Sequence, residues 1–499
     1  MIRTSPPAAT GAAPPETVGG DGIPDEFHPA VAAWFRRRFP GGATEPQRRA
    51  WPRILSGEDV LVASPTGSGK TLTGFLVAID AAYRAQSDGR AVPTDDAPPP
   101  GPGVVYISPL RALAVDVEEN LRAPLDGIAA EAERLGLAPP GLTVAVRTGD
   151  TPAAERAAMR KRPPDLLVTT PESLYLLLTA ASSRAVLGGV HTVIVDEVHT
   201  LARDKRGSHL ALSLERLAHL VAERGGRLQR IGLSATQRPL EVVARLLSGV
   251  DHTAPPTAVI DCGHARDLDV AIELPDSELE AVASGAQFSD VLDRIAGHVL
   301  EHRTTLVFVN TRKMAERVAH QLARRLGAEE GTAAASGAEV DAALQVAAHH
   351  GSLSAARRRI VEQRLRAGDL RALVATASLE LGIDVGPVEL VCQIGSPRAI
   401  GTFLQRVGRA NHHVEGTPSG RLYPLTRDEL VECTALLAAV RAGHLDLLHP
   451  PVAPSDVLTQ QVVAEVAAAG EWDVDALFAL VRRAAPFAGL TRAQFDQVV

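Results

Sequence analysis

Short apolar runs recur along this chain, separated for the most part by longer segments of helical period. "DVLVASP" (59–65) reads as a buried strand, and "GVVYISP" (103–109), "LTVAVRT" (142–148), "DLLVTTP" (165–171), "TVIVDEV" (192–198) and "RLQRIGLSA" (227–235) continue the series. The pattern then restarts with "TTLVFVNT" (304–311), "LRALVATA" (370–377) and "VELVCQIG" (388–395). Strands alternating with helices predict parallel sheets covered by helices on both faces. Two such series predict two tandem α/β domains. The expected division is a disordered tail over 1–27, a first domain over 28–250, a linker with a strand or two over 251–285, and a second domain over 286–435. The Gly- and Pro-rich stretches 87–103 and 328–343 read as mobile surface loops. Residues 436–499 turn helical and Ala/Leu-rich. They stop at "LTRAQFDQVV" inside an apolar pattern that no turn signal closes, so a cut domain with partly uncovered helix faces is expected there.

The sharpest chemical signal lies at the end of the first strand, in "ASPTGSGKT" (63–71). It departs from G-x-x-x-x-G-K-[ST] only in having Ser64 at the first position. The following helix carries Leu72, Phe75, Leu76 and Ile79 on one apolar face. A glycine-rich turn between a strand and a helix N-terminus aims backbone N–H groups at phosphate. Thr66, Gly67, Ser68, Gly69, Lys70 and Thr71 are therefore the candidate phosphate loop, with Thr71 as a Mg²⁺ ligand. The chain's basic residues are almost all arginine, lysine occurring at 70, 161, 205 and 313 alone. A compact ammonium at position 70 suits the β/γ-phosphates where a planar guanidinium does not fit.

"VIVDEVH" supplies the second element. Asp196 and Glu197 end an apolar strand, where ligand chemistry collects in open α/β sheets. Asp196 is expected to hold Mg²⁺ and Glu197 to orient and deprotonate the attacking water. The third element, "GTFLQRVGRANHH" (401–413), places Arg406 and Arg409 in the second domain. One phosphate loop and arginines in the other domain suggest ATP at the interface, with Arg409 as a finger on the γ-phosphate. A basic surface turn is the competing reading.

Composition narrows the class. Hydrophobic residues make up 45% and charged residues 22%, as in a soluble globular protein. No apolar run is long enough to span a membrane, and "MIRTSPPAATGAAPPETVGGDGIP" lacks the apolar segment of a signal peptide. Cys262, Cys392 and Cys433 are far apart and form no CxxC, which argues against a zinc or iron–sulfur site and fits a reducing, cytoplasmic setting. A net charge of −8 excludes a globally basic nucleic-acid binder but not a local positive groove. His349 and His350 read as bland, with no carboxylate nearby in the sequence. "RRRI" (357–360) reads as a solvated helix face, and "GDT" (149–151) either as a nucleic-acid-facing turn or as a plain type-I turn.

Together these motifs resemble superfamily 2 helicases, and more narrowly the N-terminal part of the large helicase-related (Lhr) family of bacteria and archaea. The likeness covers about 28–499. It rests on "TEPQRRAW" (44–51), "SPLRALAVDVEENLRAPL" (108–125), "TTPESLYLLLT" (169–179), "VDEVHTLARDKRGSHLALSLERL" (195–217), "LSAT" (233–236), "HHGSLS" (349–354), "ATASLELGIDVG" (375–386) and "QRVGRANHH" (405–413). The resemblance implies two RecA-like domains followed by the start of a winged-helix domain over 436–499. It implies that Gln47 reads adenine, that His199, Ser234, Thr236 and Gln405 couple hydrolysis to domain movement, and that Gly382, Asp384 and Arg406 help close the ATP site. It also implies that Pro109, Arg111, Thr170, Glu172, Ser173, Arg312 and Thr376 line a groove for single-stranded nucleic acid. His412 stands where many relatives outside the family have a second arginine. The implied activity is ATP- and Mg²⁺-dependent 3′-to-5′ movement on single-stranded DNA, unwinding DNA or RNA–DNA duplexes in DNA repair, near the nucleoid of a prokaryote. An RNA helicase, or a clamp that uses ATP as a switch without unwinding, are the alternatives.

Overall fold

A computed structural model describes residues 21–65, 67–87, 101–139, 141–250, 255–263, 267–327, 345–380, 386–411 and 416–499. The apolar runs form strands: β1 Val60–Ala63, β2 Val104–Ile107, β3 Val144–Arg147, β4 Leu166–Thr169, β5 Thr192–Val195, β6 Gln229–Ser234, β7 Ala258–Asp261, β8 Asp269–Ile272, β9 Thr305–Phe308, β10 Val346–His349, β11 Ala372–Ala375, β12 Leu390–Ile394 and β13 Ser419–Tyr423. They assemble into a seven-stranded sheet in the order β3-β4-β2-β5-β6-β1-β7 and a six-stranded sheet in the order β10-β11-β9-β12-β13-β8. Every neighbouring pair is parallel. Helices cover both faces of each sheet, so the central strands are buried throughout. The expected pair of parallel-sheet α/β domains is present.

Register places the chemistry. Ala63 pairs with Ser234 and Val195 with Gly232, so the chain leaves β1, β6 and β5 at one edge of the first sheet. β2, β4 and β3 continue that edge on the other side. All parallel strands deliver their C-terminal ends to the same edge, which is where open α/β sheets bind ligands.

Several expectations need correction. The tail expected over 1–27 is not disordered throughout: Ile23 and Phe27 are buried in the first core. Asp21 fixes that segment, accepting from Ile23 N, pairing with Arg36, and taking Ala43 N on its backbone oxygen. The linker expected over 251–285 does carry two strands, and these join the sheets rather than stand apart: β7 edges the first sheet and β8 the second. β10 and β13 had no signal in the apolar pattern. "VAAH" is too small in side chain, and "SGRLY" alternates inward Gly420 and Leu422 with an outward Arg421. The helix Arg427–Arg441 carries the second domain past residue 435, burying Cys433, Leu436 and Leu437 in its core. Most of the two stretches read as mobile loops falls outside the described residues.

The C-terminal helices differ most from expectation. Ser455–Ala469 and Val474–Arg483 pack on the first-domain helix Lys205–Ala222. Leu458, Val462, Leu477, Leu480, Phe487 and Phe495 join the same apolar core as Leu210, Leu214 and Leu217. Polar groups reinforce the seam. Glu465 lies between Arg184 (2.8 Å) and Arg216, Gln461 accepts from Arg216 at 2.7 Å, and Glu215 joins Arg230 (2.6 Å) to Arg483 (3.0 Å). The inner faces of these helices are therefore covered, by a surface too distant in sequence to be foreseen, while Val463, Val466 and Val474 remain exposed, in keeping with partly uncovered faces.

Candidate nucleotide site and nucleic-acid interface

The phosphate loop is built by conformation as much as by composition. Gly67 and Gly69 adopt φ of +79° and +84°, a region that side chains rarely enter. A Cβ on Gly69 would also lie 2.9 Å from Gln47 Nε2. The loop ends in the helix Lys70–Ser87, whose apolar face buries Phe75, Leu76 and Ile79 as the spacing predicted. Lys70 is buried, and its Nζ donates to Ser64 O at 2.6 Å. Ser64, at the position where the motif has glycine, is fully buried with its hydroxyl 2.7 Å from that of Ser68. Thr71 is exposed on the first helical turn. Gln47 accepts from Thr44 N at 2.9 Å and reaches Gly69 O at 3.4 Å, which ties the expected adenine reader to the loop. Thr66 lies outside the described residues.

Asp196 and Glu197 stand beside this loop, both buried. Tyr106 OH donates to Asp196 Oδ2 at 2.5 Å, and the Tyr106 ring stacks on Phe75 at 4.4 Å. Burial and the adjacent Glu197 carboxylate push Asp196 up to about 7, while Lys70 pulls it down. Glu197 has a left-handed backbone (φ 46°, ψ 41°), a strained conformation for a non-glycine residue that tends to persist at functional sites. Its Oε2 is buried and makes no hydrogen bond among the described residues. Two adjacent buried carboxylates beside a lysine and an exposed threonine hydroxyl fit a Mg²⁺-bound nucleotide, which Thr71 and Asp196 would hold.

His199 carries the site across the domain boundary. Burial pushes it down to about 4, so it is neutral near pH 7. Ala235 N donates to its Nδ1 at 3.1 Å, and Ser234 Oγ lies 3.3 Å from the same atom. The other ring nitrogen, Nε2, lies 2.5 Å from Gln405 Nε2 of the second domain, with the donor set by the tautomer of the ring. The segment after β6 touches both places where the chain passes between domains. Thr236 Oγ1 donates to Gly263 O at 2.8 Å, and Arg238 O accepts from Leu448 N at 3.0 Å. Four residues expected to couple the domains are thus joined to the domain boundary.

The two arginines divide. Arg406 is spent inside its own domain: it pairs with Glu380, donates to Gln393 Oε1 at 2.5 Å and lies over the Phe308 ring at 5.1 Å. In this structure the Arg406 guanidinium, expected to help close the nucleotide site, is engaged by the half-buried Glu380 carboxylate. Arg409 is also buried and donates to Glu380 O at 2.9 Å. Gly382, Asp384 and His412 lie outside the described residues.

The other half of each strand-end edge gathers the expected strand-binding residues. After β2 come Pro109 and Arg111, and after β4 come Thr170, Glu172 and Ser173. Thr170 caps the helix Pro171–Thr179 by accepting from Ser173 N at 3.3 Å. Arg111 pairs with Asp150 at 2.8 Å, so the "GDT" turn after β3 belongs to the same surface. Arg206 joins the pieces, with Nε on Glu172 Oε1 and a terminal nitrogen on Pro109 O, each at 2.8 Å. In the second sheet, Arg312 follows β9 and Thr376 follows β11. Arg312 donates to Ser352 Oγ at 2.7 Å. His349 and His350 do have carboxylate partners, Glu362 at 3.0 Å and Glu316 at 2.6 Å, brought by tertiary packing.

Three family models match in succession: DEAD/DEAH box helicase over 44–243, Helicase conserved C-terminal domain over 287–413, and Large helicase-related protein, winged helix domain, over 438–499. The chain is 42% identical over 95% of its length to the Lhr helicase/uracil glycosylase of Escherichia coli, covering 32% of that protein. It is 42% identical over 94% of its length to ATP-dependent helicase Lhr-Core protein 2 of Thermococcus barophilus, covering 52% of it. The chain belongs to the Lhr helicase family. It spans from about a third to about half the length of these curated Lhr relatives. A structure of Mycobacterium smegmatis helicase Lhr bound to ssDNA and AMP-PNP superposes with a TM-score of 0.82, at 45% identity over 95% of this chain and 57% of that one.

Within this Lhr chain, four residues of the site were not singled out in the sequence. Tyr106 had a usable signal, as the one hydroxyl-bearing residue inside an otherwise aliphatic buried strand. Arg203 (3.1 Å from Gln237 Oε1), Arg206 and Glu380 had none, since an arginine or glutamate in a polar stretch reads as solvated until its partners are known.

Proposed function

We propose that this chain is the motor part of an ATP-driven translocase that moves 3′ to 5′ on single-stranded DNA and separates DNA or RNA–DNA duplexes. The observation that carries the reading is the bridge from His199 to Gln405. It joins the loop that holds Asp196 and Glu197 to the helix bearing Arg406 and leading to Arg409. A change at the γ-phosphate beside Glu197 is then felt in the second domain.

In this mechanism the Gly67–Thr71 turn and Lys70 bind the ATP phosphates. Mg²⁺, when bound through Thr71 and Asp196, supplies charge neutralisation at the β- and γ-oxygens. Glu197 orients the attacking water and takes its proton at the carboxylate. Arg409 stabilises the charge that develops on the γ-phosphate as the domains close, and His199, Ser234, Thr236 and Gln405 transmit the closure. Pro109, Arg111, Thr170, Glu172 and Ser173 hold the strand on the first domain, with Arg312 and Thr376 on the second. Alternate gripping by two domains that close and open ratchets the strand. Single-stranded DNA is favoured over RNA by the likeness to the DNA-bound mycobacterial Lhr. The E. coli relative's pairing of helicase with uracil glycosylase supports a place in DNA repair, in the cytoplasm.

The test is ATP turnover without nucleic acid, with single-stranded DNA and with single-stranded RNA, followed by displacement from 3′- and 5′-tailed DNA–DNA and RNA–DNA duplexes. DNA-stimulated turnover that Lys70→Ala abolishes, with displacement from 3′ tails, is expected. Stronger stimulation by RNA would move the assignment to an RNA helicase, and ATP-dependent DNA retention without turnover would make it a clamp.

A further inference from the structure

The second domain carries a cluster that the motor chemistry does not use. The helix Gly285–Glu301 ends in "HVLE" and is capped by the extended His302, whose N–H bonds His298 O, so that His298, Glu301 and His302 gather at its C-terminus. One donor atom from each of the three lies within 4.8 Å of the others. We propose that these residues form a binding site for a divalent transition metal of the zinc class, separate from the nucleotide site.

The hydrogen bonds fix which atoms are offered. His298 Nε2 lies 3.0 and 3.1 Å from the two oxygens of Glu273, so it donates, and Nδ1 keeps its lone pair. That Nδ1 is buried, makes no hydrogen bond among the described residues, and has Glu301 Oε2 at 3.6 Å. His302 Nδ1 lies 2.8 Å from the His298 carbonyl oxygen, so it too donates, and Nε2 keeps its lone pair. Each imidazole thus has one nitrogen held by an oxygen and the other available, the arrangement that orients metal-binding histidines. Bonds of about 2.1 Å at the tetrahedral angle separate two donors by about 3.4 Å. The 3.6 Å between His298 Nδ1 and Glu301 Oε2 is close to that span.

The surroundings favour a cation. The site closes a helix C-terminus, where unpaired carbonyls favour positive charge. Two imidazoles and one carboxylate suit zinc and its neighbours better than Mg²⁺ or Ca²⁺, which take all-oxygen shells. Glu273 follows β8 directly, accepts from Tyr423 OH at 2.8 Å and bonds Leu422 O through its own N–H. A metal here would brace the helix end against the strand by which the chain enters the second domain.

The test uses the full chain, stripped with chelator, without nucleotide, and titrated with ZnCl₂ by calorimetry, with Co²⁺ absorption as a coordination readout. One equivalent should bind and give a four-coordinate cobalt spectrum. His302→Asn and Glu301→Gln, at the exposed helix end, should each weaken zinc at least tenfold. Glu273→Gln should weaken it about ten- to a hundredfold by releasing His298. A His349→Asn/His350→Asn variant should bind as wild type. The proposal is overturned if the stripped protein takes up no zinc, if His302→Asn binds unchanged, or if only the His349/His350 variant loses binding.

Discussion

Glu465→Ala tests whether the C-terminal helices and the first domain form one body. The Glu465 side chain is 1% exposed and stands between Arg216 at 4% and Arg184 at 11%. Removing one member of a buried ion pair leaves an uncompensated charge and costs about 3–5 kcal/mol. Here one deletion strips two guanidiniums at once. Arg216 keeps some support from Gln461 Oε1 at 2.7 Å and from the Tyr175 ring at 5.7 Å. That holds the expected loss at about 4 kcal/mol. At roughly 2–4 °C per kcal/mol for a body of 150–250 residues, the unfolding transition that includes the first domain should fall by about 10 °C. Differential scanning calorimetry measures it, and limited proteolysis should show earlier cutting within 455–499. Glu465→Leu combined with Arg216→Met should recover part of the loss, because apolar replacement of a buried pair is often close to neutral. A Glu465→Ala transition within about 2 °C of wild type would refute the reasoning, since the seam would then be held by apolar contact alone.

Glu197→Gln should retain ATP binding and lose hydrolysis, because the amide cannot accept the water's proton; turnover within a few-fold of wild type would remove Glu197 from the role of base. Arg409→Ala should leave ATP affinity little changed and cut turnover on the order of a thousandfold. Arg406→Ala should instead lower the thermal transition of the second domain, by leaving Glu380 unpaired, and full loss of turnover at Arg406 with an active Arg409 variant would reverse that assignment. The depressed His199 sets a pH dependence. The unfolded chain binds its proton below about 6.5 and the folded chain only near 4, so stability is full above 6.5 and is lost as pH falls through that window, by about 3 kcal/mol. Asp196, raised to about 7, contributes with the opposite sign as pH falls below 7. Denaturant titrations of wild type and His199→Asn should therefore show a less steep acid loss in the variant, and equal slopes would refute a neutral buried His199.

Apolar runs of helix and strand period determined the two parallel-sheet domains, because a strand covered on both faces has to be apolar along its length. The phosphate loop, the Asp196–Glu197 pair and the arginine segment were legible for a related reason: each is a local motif whose geometry depends on adjacent residues. What tertiary structure decided is what depends on residues far apart. Arg406 and Arg409 sit on neighbouring turns with similar local sequence and both end buried against Glu380, but only the arrival of the Glu380 carboxylate and Gln393 ties up the Arg406 guanidinium in side-chain bonds. His349 and His350 gained carboxylates from helices 13 and 34 positions away. β7 and β8 follow one another in sequence, yet each completes a different sheet, because edge pairing is set by the partner strand's free hydrogen-bonding groups rather than by the segment's own pattern. The C-terminal helices read as uncovered because an amphipathic face states that it needs a partner and not which one; the first domain's Leu210, Leu214 and Leu217 provide it, with Arg216 and Glu465 fixing the register of the seam.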